Sequence, residues 1–113
     1  MNHQDRYSAM LEAVRRFHEK HDFKNRGGED LVYRVALLSE ELGEIAECIT
    51  KGKPKEALAE ECADLLILIL GTALSADLDL NAAFWTKMAA LEHRTTRTVN
   101  GRVRVTKVDS ATR

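Results

Sequence analysis

The chain of 113 residues predicts an all-α fold, and three observations carry that expectation. Apolar residues recur at helical spacing in three stretches and crowd a fourth, the single proline falls between two of the four, and aromatic residues make up only 5% of the composition. The length suits one compact domain, and 44% hydrophobic with 31% charged residues is a globular composition that excludes a disordered or collagen-like chain. At this size a lone helical bundle is only marginally stable, so an oligomer is expected. A formal net charge of −1 supplies no bulk field to draw nucleic acid or an anionic membrane.

The first helix begins at Tyr7 and places Met10, Leu11, Val14, Phe17 and His21 on one face. Its period is lost from Asp22 through Gly27 and Gly28, after which Glu29 or Asp30 can open a second helix. There Leu31, Val35, Leu38, Leu42, Ile45 and Ile49 form the strongest periodic seam in the chain. Lys51, Gly52, Lys53 and Pro54 close it with late cations, a C-terminal glycine and a proline stop. A third helix runs from about Lys55 to Ser75, and beyond Glu61 it is apolar on almost every side, as in a segment surrounded by other helices.

Asp77 and Asp79 offer caps for a fourth helix, Leu80 to about Arg94, with Leu80, Phe84, Met88 and Leu91 facing inward. Thr98 to Val103 then sets Asn100 and Gly101 between β-prone residues, the chemistry of a tight hairpin turn. The expected organisation is a four-helix bundle over residues 1–94 and a basic C-terminal arm, a short β-hairpin, over 95–113, with Arg97, Arg102, Arg104 and Lys107. No recognition motif accompanies those cations, so nucleic acid is not an expected partner. No basic and apolar leader opens the chain, and the apolar run Leu65 to Leu70 falls far short of the ~20 residues that cross a bilayer. Cys48 and Cys62 lack framework spacing and are expected as reduced core thiols in a cytoplasmic protein without membrane contact.

At about 100° per residue, Glu41 lies between the apolar seam and the flank formed by Leu37 and Cys48, so it points at apolar neighbours. Glu44 sits at the border of that arc, with Glu40 and Glu47 further towards solvent. Glu61 and Asp64 share one face at the entrance of the most apolar helix. A short turn makes the second and third helices antiparallel, which lets Glu41 and Glu44 face Glu61 and Asp64. Burying such carboxylates unpaired costs several kcal/mol, so a cation must compensate. The cluster offers only hard oxygens, which suits Mg²⁺ or Mn²⁺, whereas a di-iron bundle calls for Glu-x-x-His pairs that are absent. Glu47, Glu56 and Glu60 are expected only to solvate a helix face.

On the fourth helix Lys87 falls within the apolar stripe near Leu80, Leu91 and Arg94, placing two cations on one face that suits a phosphate. Trp85 falls on the outward side. Phe17, His18, His21 and Phe23 form an aromatic and imidazole group able to stack on a nucleobase, although Phe17 also suits a core position.

Glu40-Glu41-Leu42-Gly43-Glu44, sixteen intervening residues, then Glu61-Cys62-Ala63-Asp64 resembles the EExxE…ExxD signature of the MazG-like all-α nucleoside triphosphate pyrophosphohydrolases. The resemblance spans roughly Tyr7 to Arg94. Lys87 and Arg94 are similar to the basic residues of that family's last helix, with Leu91 where its K-x-x-x-N-x-x-R pattern has asparagine. What the resemblance implies is Mg²⁺-dependent hydrolysis of a nucleoside triphosphate to the monophosphate and pyrophosphate, in nucleotide-pool cleansing. It further implies Glu41, Glu44, Glu61 and Asp64 as metal ligands, Glu40 as the residue that orients or deprotonates water, Lys87 and Arg94 on the phosphates, and a homodimer or homotetramer. The alternative is a non-catalytic helical interaction module with an acidic face and a basic arm.

Overall fold

The computed structural model describes residues 6–109. Four helices precede one hairpin: α1 (Tyr7–Lys20), α2 (Leu31–Thr50), α3 (Lys55–Ser75), α4 (Leu80–Glu92), β1 (Arg94–Val99) and β2 (Arg102–Asp109). They fall into two compact units, Met1–Leu78 and Asp79–Arg113.

In the first unit α2 and α1 both pack on α3. The boundaries follow local chemistry. Asp30 caps α2 by accepting from the Tyr33 amide at 3.1 Å, leaving Glu29 free for other work. At the other end Gly52, with φ 60°, supports the bond from Lys53 N–H to the Cys48 carbonyl, 2.9 Å, that satisfies the last turn. Pro54 follows as the N-cap of α3.

The face that α2 buries is not the apolar seam. Its buried residues are Arg34, Glu41 and Cys48, seven apart, and they centre about 100° round the helix from Leu42. Leu31, Val35, Leu42 and Ile49 are exposed in the single chain. The expectation of α3 wrapped on all sides is likewise narrowed, because Leu66, Ile67 and Ile69 are exposed and only Leu70, Gly71 and Ala73 are buried. Cys48 is a buried free thiol as expected, whereas Cys62 is exposed.

Arg34 is the largest fully buried side chain, 1% exposed. Its guanidinium donates from Nε to Thr72 Oγ1 (3.0 Å), from Nη1 to the Gly28 carbonyl (2.9 Å) and from Nη2 to the Leu68 carbonyl (2.8 Å). Burial pushes its pKa down and the nearby charge of Glu29 pushes it back up. His18, also buried, meets Glu29 through Nδ1 at 3.2 Å and stacks on Phe23 with centroids 4.4 Å apart. Gly71 passes directly beneath this group.

In the second unit Asp79 caps α4 through the Ala82 amide, 3.0 Å, whereas Asp77, at the end of the first unit, adopts a positive φ. The helix stops at Glu92, two residues short of the expected Arg94, and buries no residue, so Phe84, Met88 and Leu91 are exposed rather than inward. The four helices and the hairpin are those expected; α1, α2 and α3 belong to the first unit, and α4 with the hairpin to the second. Asn100 and Gly101, with φ 51° and 78°, make the two-residue turn, and β1 pairs antiparallel with β2 in the register Arg97 to Arg104 and Val99 to Arg102. Thr95 and Thr106 hydrogen-bond across the strands through their hydroxyls. The hairpin therefore starts one residue earlier than the expected arm, and residues 110–113 of that arm lie outside the described residues.

A Cβ at Gly71 would run into Arg34 Nη2 and His18 Nε2. Gly71→Ala gains up to about 1 kcal/mol of helix propensity, yet overpacking a buried site typically costs about 1–3 kcal/mol. We expect the variant's melting temperature, followed by circular dichroism, to fall by several degrees; an unchanged or higher value contradicts the tight approach.

Candidate metal centre and apolar groove

Glu41 lies two turns along α2 from Arg34, on the same buried face, and is 9% exposed despite its charge. Across from it, α3 brings Glu61, half-buried, and Asp64, exposed, one turn apart on one face. One carboxylate oxygen from each of Glu41, Glu61 and Asp64 lies within 4.8 Å of the others. Glu41 Oε1 and Glu61 Oε2 are buried and accept no hydrogen bond.

The electrostatics follow from that crowding. Burial pushes the Glu41 carboxyl up to about 8, helped by its close approach to the Glu61 carboxyl and by the like charges of Glu44, Glu61 and Asp64. Glu44 is raised as well, first through contact with Glu61 and then through the charge of Glu61. Glu47 points the other way, lowered by Lys51 at 3.0 Å and Lys53 at 3.4 Å, as a solvated surface residue.

The donor set is three carboxylates with no imidazole and no thiolate, and two of their oxygens are orphaned in a buried position. A divalent cation fits there: it needs hard anionic oxygens and would satisfy both orphans. Glu44, beside Glu41 and Glu61, is placed to add a fourth carboxylate.

The same carboxylates border a groove of about 720 Å³. Glu40, Glu41, Glu44 and Asp64 line it together with Met10, Ala13, Val14 and Phe17 of α1, Leu37 of α2, and Leu66, Ile67 and Leu70 of α3. Five acidic residues singled out in the sequence thus meet at one place, four in the groove lining and Glu61 through the cluster. Glu40 is exposed on this groove.

The aromatic group divides. Phe17 lines the groove, 47% exposed, with edge contacts to Phe23 at 5.3 Å and His21 at 4.9 Å. His21 is exposed just past the end of α1. His18 is turned into the Arg34 group and borders a separate polar pocket with Arg15, Asp22 and Glu29. Lys87 is exposed on α4, and Arg94 is half-buried at the start of β1, donating from Nη1 to the Thr106 carbonyl at 3.4 Å. Both belong to the second unit.

Arg34 and Gly71 escaped the sequence reading. Arg34 sits seven residues before Glu41 and so shares its helix face, but its acceptors lie 34 and 38 residues away on α3.

The family model described as "MazG nucleotide pyrophosphohydrolase domain" matches residues 33–99. No curated protein and no solved structure matches the chain. Among the described residues no helix is long and apolar enough to cross a membrane.

A carboxyl held above its unfolded pKa destabilises the fold wherever the unfolded chain would ionise it. For metal-free protein the native state binds the extra proton between about 4.5 and about 8, so stability is highest below that window and falls as pH rises through it. We expect the melting temperature in a chelator to drop from pH 5 to pH 8, Glu41→Gln to flatten that drop, and Mg²⁺ or Mn²⁺ to reverse it at pH 8. A flat wild-type profile contradicts the crowding.

Proposed function

Because the chain belongs to the MazG nucleotide pyrophosphohydrolase domain family, we propose that it hydrolyses nucleoside or deoxynucleoside triphosphates to the monophosphate and pyrophosphate. The observation that supports this most directly is the buried three-carboxylate cluster bordering an apolar groove. Glu41, Glu61 and Asp64, with Glu44, hold Mg²⁺ or Mn²⁺. That ion, when bound, supplies positive charge against the negative charge growing on the leaving pyrophosphate.

The chain's own residues do the rest. Glu40, exposed on the groove wall, orients the attacking water and accepts its proton as the water oxygen bonds to the α-phosphorus and the bond to the bridging oxygen breaks. Phe17, Met10 and Ile67 offer apolar surface to the nucleobase and exclude water around it. Of the two histidines expected beside the base, His21 keeps that role through its contact with Phe17, whereas His18 is buried against Glu29 and Phe23 and helps fix the end of α1 instead. Lys87 and Arg94 are assigned to the phosphates on the resemblance alone. A nucleotide-pool role in the cytoplasm is part of the proposal and rests on the family alone.

A homodimer or homotetramer completes the proposal. Val35, Leu42 and Ile49 are 61%, 60% and 65% exposed on one stripe of α2, a row that a second copy would cover. We expect wild-type protein to elute above monomer mass in light scattering and Leu42→Glu to shift it towards monomer; a monomeric wild type removes the oligomer from the proposal.

Catalysis is tested by incubating the protein with each NTP and dNTP plus Mg²⁺. Monophosphate and pyrophosphate are the expected products, and Glu41→Gln or Asp64→Asn should lower kcat by at least about a hundredfold while far-ultraviolet dichroism is kept. Diphosphate with orthophosphate would place the cleavage elsewhere. No turnover of any nucleotide would leave the interaction module standing.

A further inference from the structure

The carboxylate cluster cannot set its own spacing. Glu41, Glu61 and Asp64 are crowded together, and two of their buried oxygens have no partner, so nothing within the cluster holds α2 against α3. Something else on the same interface must hold the two helices at the separation that a cation requires.

Arg34 is placed to do so. Along α2 it precedes Glu41 by seven residues, and along the oppositely directed α3 its acceptor Leu68 follows Glu61 by seven. Both offsets are two turns, about 10 Å of helix, so the contact of Arg34 with Leu68 and that of Glu41 with Glu61 are two rungs of one ladder. The first rung is over-determined. Leu68 O accepts from Arg34 Nη2 at 2.8 Å and from Thr72 Oγ1 at 2.8 Å, while Thr72 Oγ1 itself accepts from Arg34 Nε at 3.0 Å. Nη1 reaches the Gly28 carbonyl at 2.9 Å and ties in the segment between α1 and α2. Gly71 lets α3 come this close, since any Cβ there would meet Arg34. A helix is stiff over two turns, so a slip at the first rung is carried to the second.

We propose that Arg34 is a positioning residue: its fork on Leu68, Thr72 and Gly28 sets the α2–α3 register that holds Glu41 opposite Glu61 and Asp64. The proposal rests on the reading that those carboxylates bind a divalent cation. Arg34 acts on the ion only through the backbone, since its three nitrogens are all engaged with other groups. Lysine keeps the charge but not the planar fork, so it cannot serve all three acceptors at once.

The test uses the full chain and Mn²⁺ alone, with free Mn²⁺ read by electron paramagnetic resonance. Arg34→Lys should weaken Mn²⁺ binding by about tenfold, the scale on which outer positioning groups act at metal sites, and Thr72→Val, which removes one acceptor, should weaken it less. Leu11→Ala is the comparison: Leu11 is half-buried on α1, outside both the fork and the groove, and should lower the melting temperature without changing the Mn²⁺ Kd. If Arg34→Lys does not fold, Thr72→Val against Leu11→Ala decides. Mn²⁺ binding as in wild type by the folded fork variants, or equal weakening by Leu11→Ala, overturns the proposal. Should wild type bind no Mn²⁺, the enzymatic reading fails separately, and amide exchange in metal-free protein decides the register. Faster exchange across residues 60–66 in the fork variants but not in Leu11→Ala upholds it; equal exchange overturns it.

Discussion

The pairing of α2 with α3 is polar at its centre, and the first unit is arranged around that constraint. Arg34 and Glu41 occupy one buried face of α2 two turns apart, where an ordinary helix would put leucines. Each is a charge in a place that penalises charge, and two helical turns keep them from cancelling. Their solutions differ. Arg34 is satisfied by carbonyl and hydroxyl oxygens supplied by α3 and by the segment ahead of α2, so it works as a fastener. Glu41 is left with an unsatisfied oxygen beside other carboxylates, a setting that favours positive charge. One rung is complete in the protein, and a cation would complete the other.

The groove gives that incomplete rung its chemical setting. Carboxylates that faced open water would be well solvated and would hold a divalent ion weakly; here Val14, Leu37, Ala63 and Leu70 lie in the same lining and lower the local polarity. Low polarity raises the Glu41 pKa and strengthens the attraction to a cation at the same time, because both come from the poor solvation of the ionised carboxylate. A polyanionic substrate carrying its own divalent ions meets both needs, which is why an acidic cluster suits a site for phosphates. The apolar wall then has a second use, since Phe17 presents a half-exposed ring held by edge contacts with Phe23 and His21.

Where the chemistry was local, the sequence was legible. Asp30 and Asp79 as caps, Gly52 ahead of Pro54 as a stop, and Asn100 with Gly101 as a two-residue turn each depend on neighbours within five positions. Helical geometry also picked out Glu41 as the buried glutamate, but it misplaced Glu47, which was expected outermost and is half-buried between Lys51 and Lys53, while Glu40 and Glu44 are exposed. Arg34 was not legible, since burial of an arginine depends on acceptors thirty-four and thirty-eight residues away, and nothing beside it in the sequence announces them. Gly71 hid inside an apolar run, where a glycine looks like an interruption and not a seat for another side chain. Cys62 and the face of α4 were misplaced for a shared reason: periodicity shows that a face is apolar, not what covers it.

That distinction bears most on α2, which carries two faces rather than one. The stripe of Leu31, Val35, Leu42 and Ile49 is the stronger pattern, yet α3 is met by the weaker one about 100° away. An exposed row of large aliphatic side chains on a small domain invites association. The two faces differ in kind. The polar face is specific, since its hydrogen bonds and carboxylates tolerate one register against α3, and the apolar face is cohesive, since it gains from any surface that excludes water. A small core of Val14, Cys48, Leu70 and Ala73 supports little stability alone. Covering the apolar row would add burial to the helix that also carries Glu41, so assembly and the carboxylate geometry would draw on the same element.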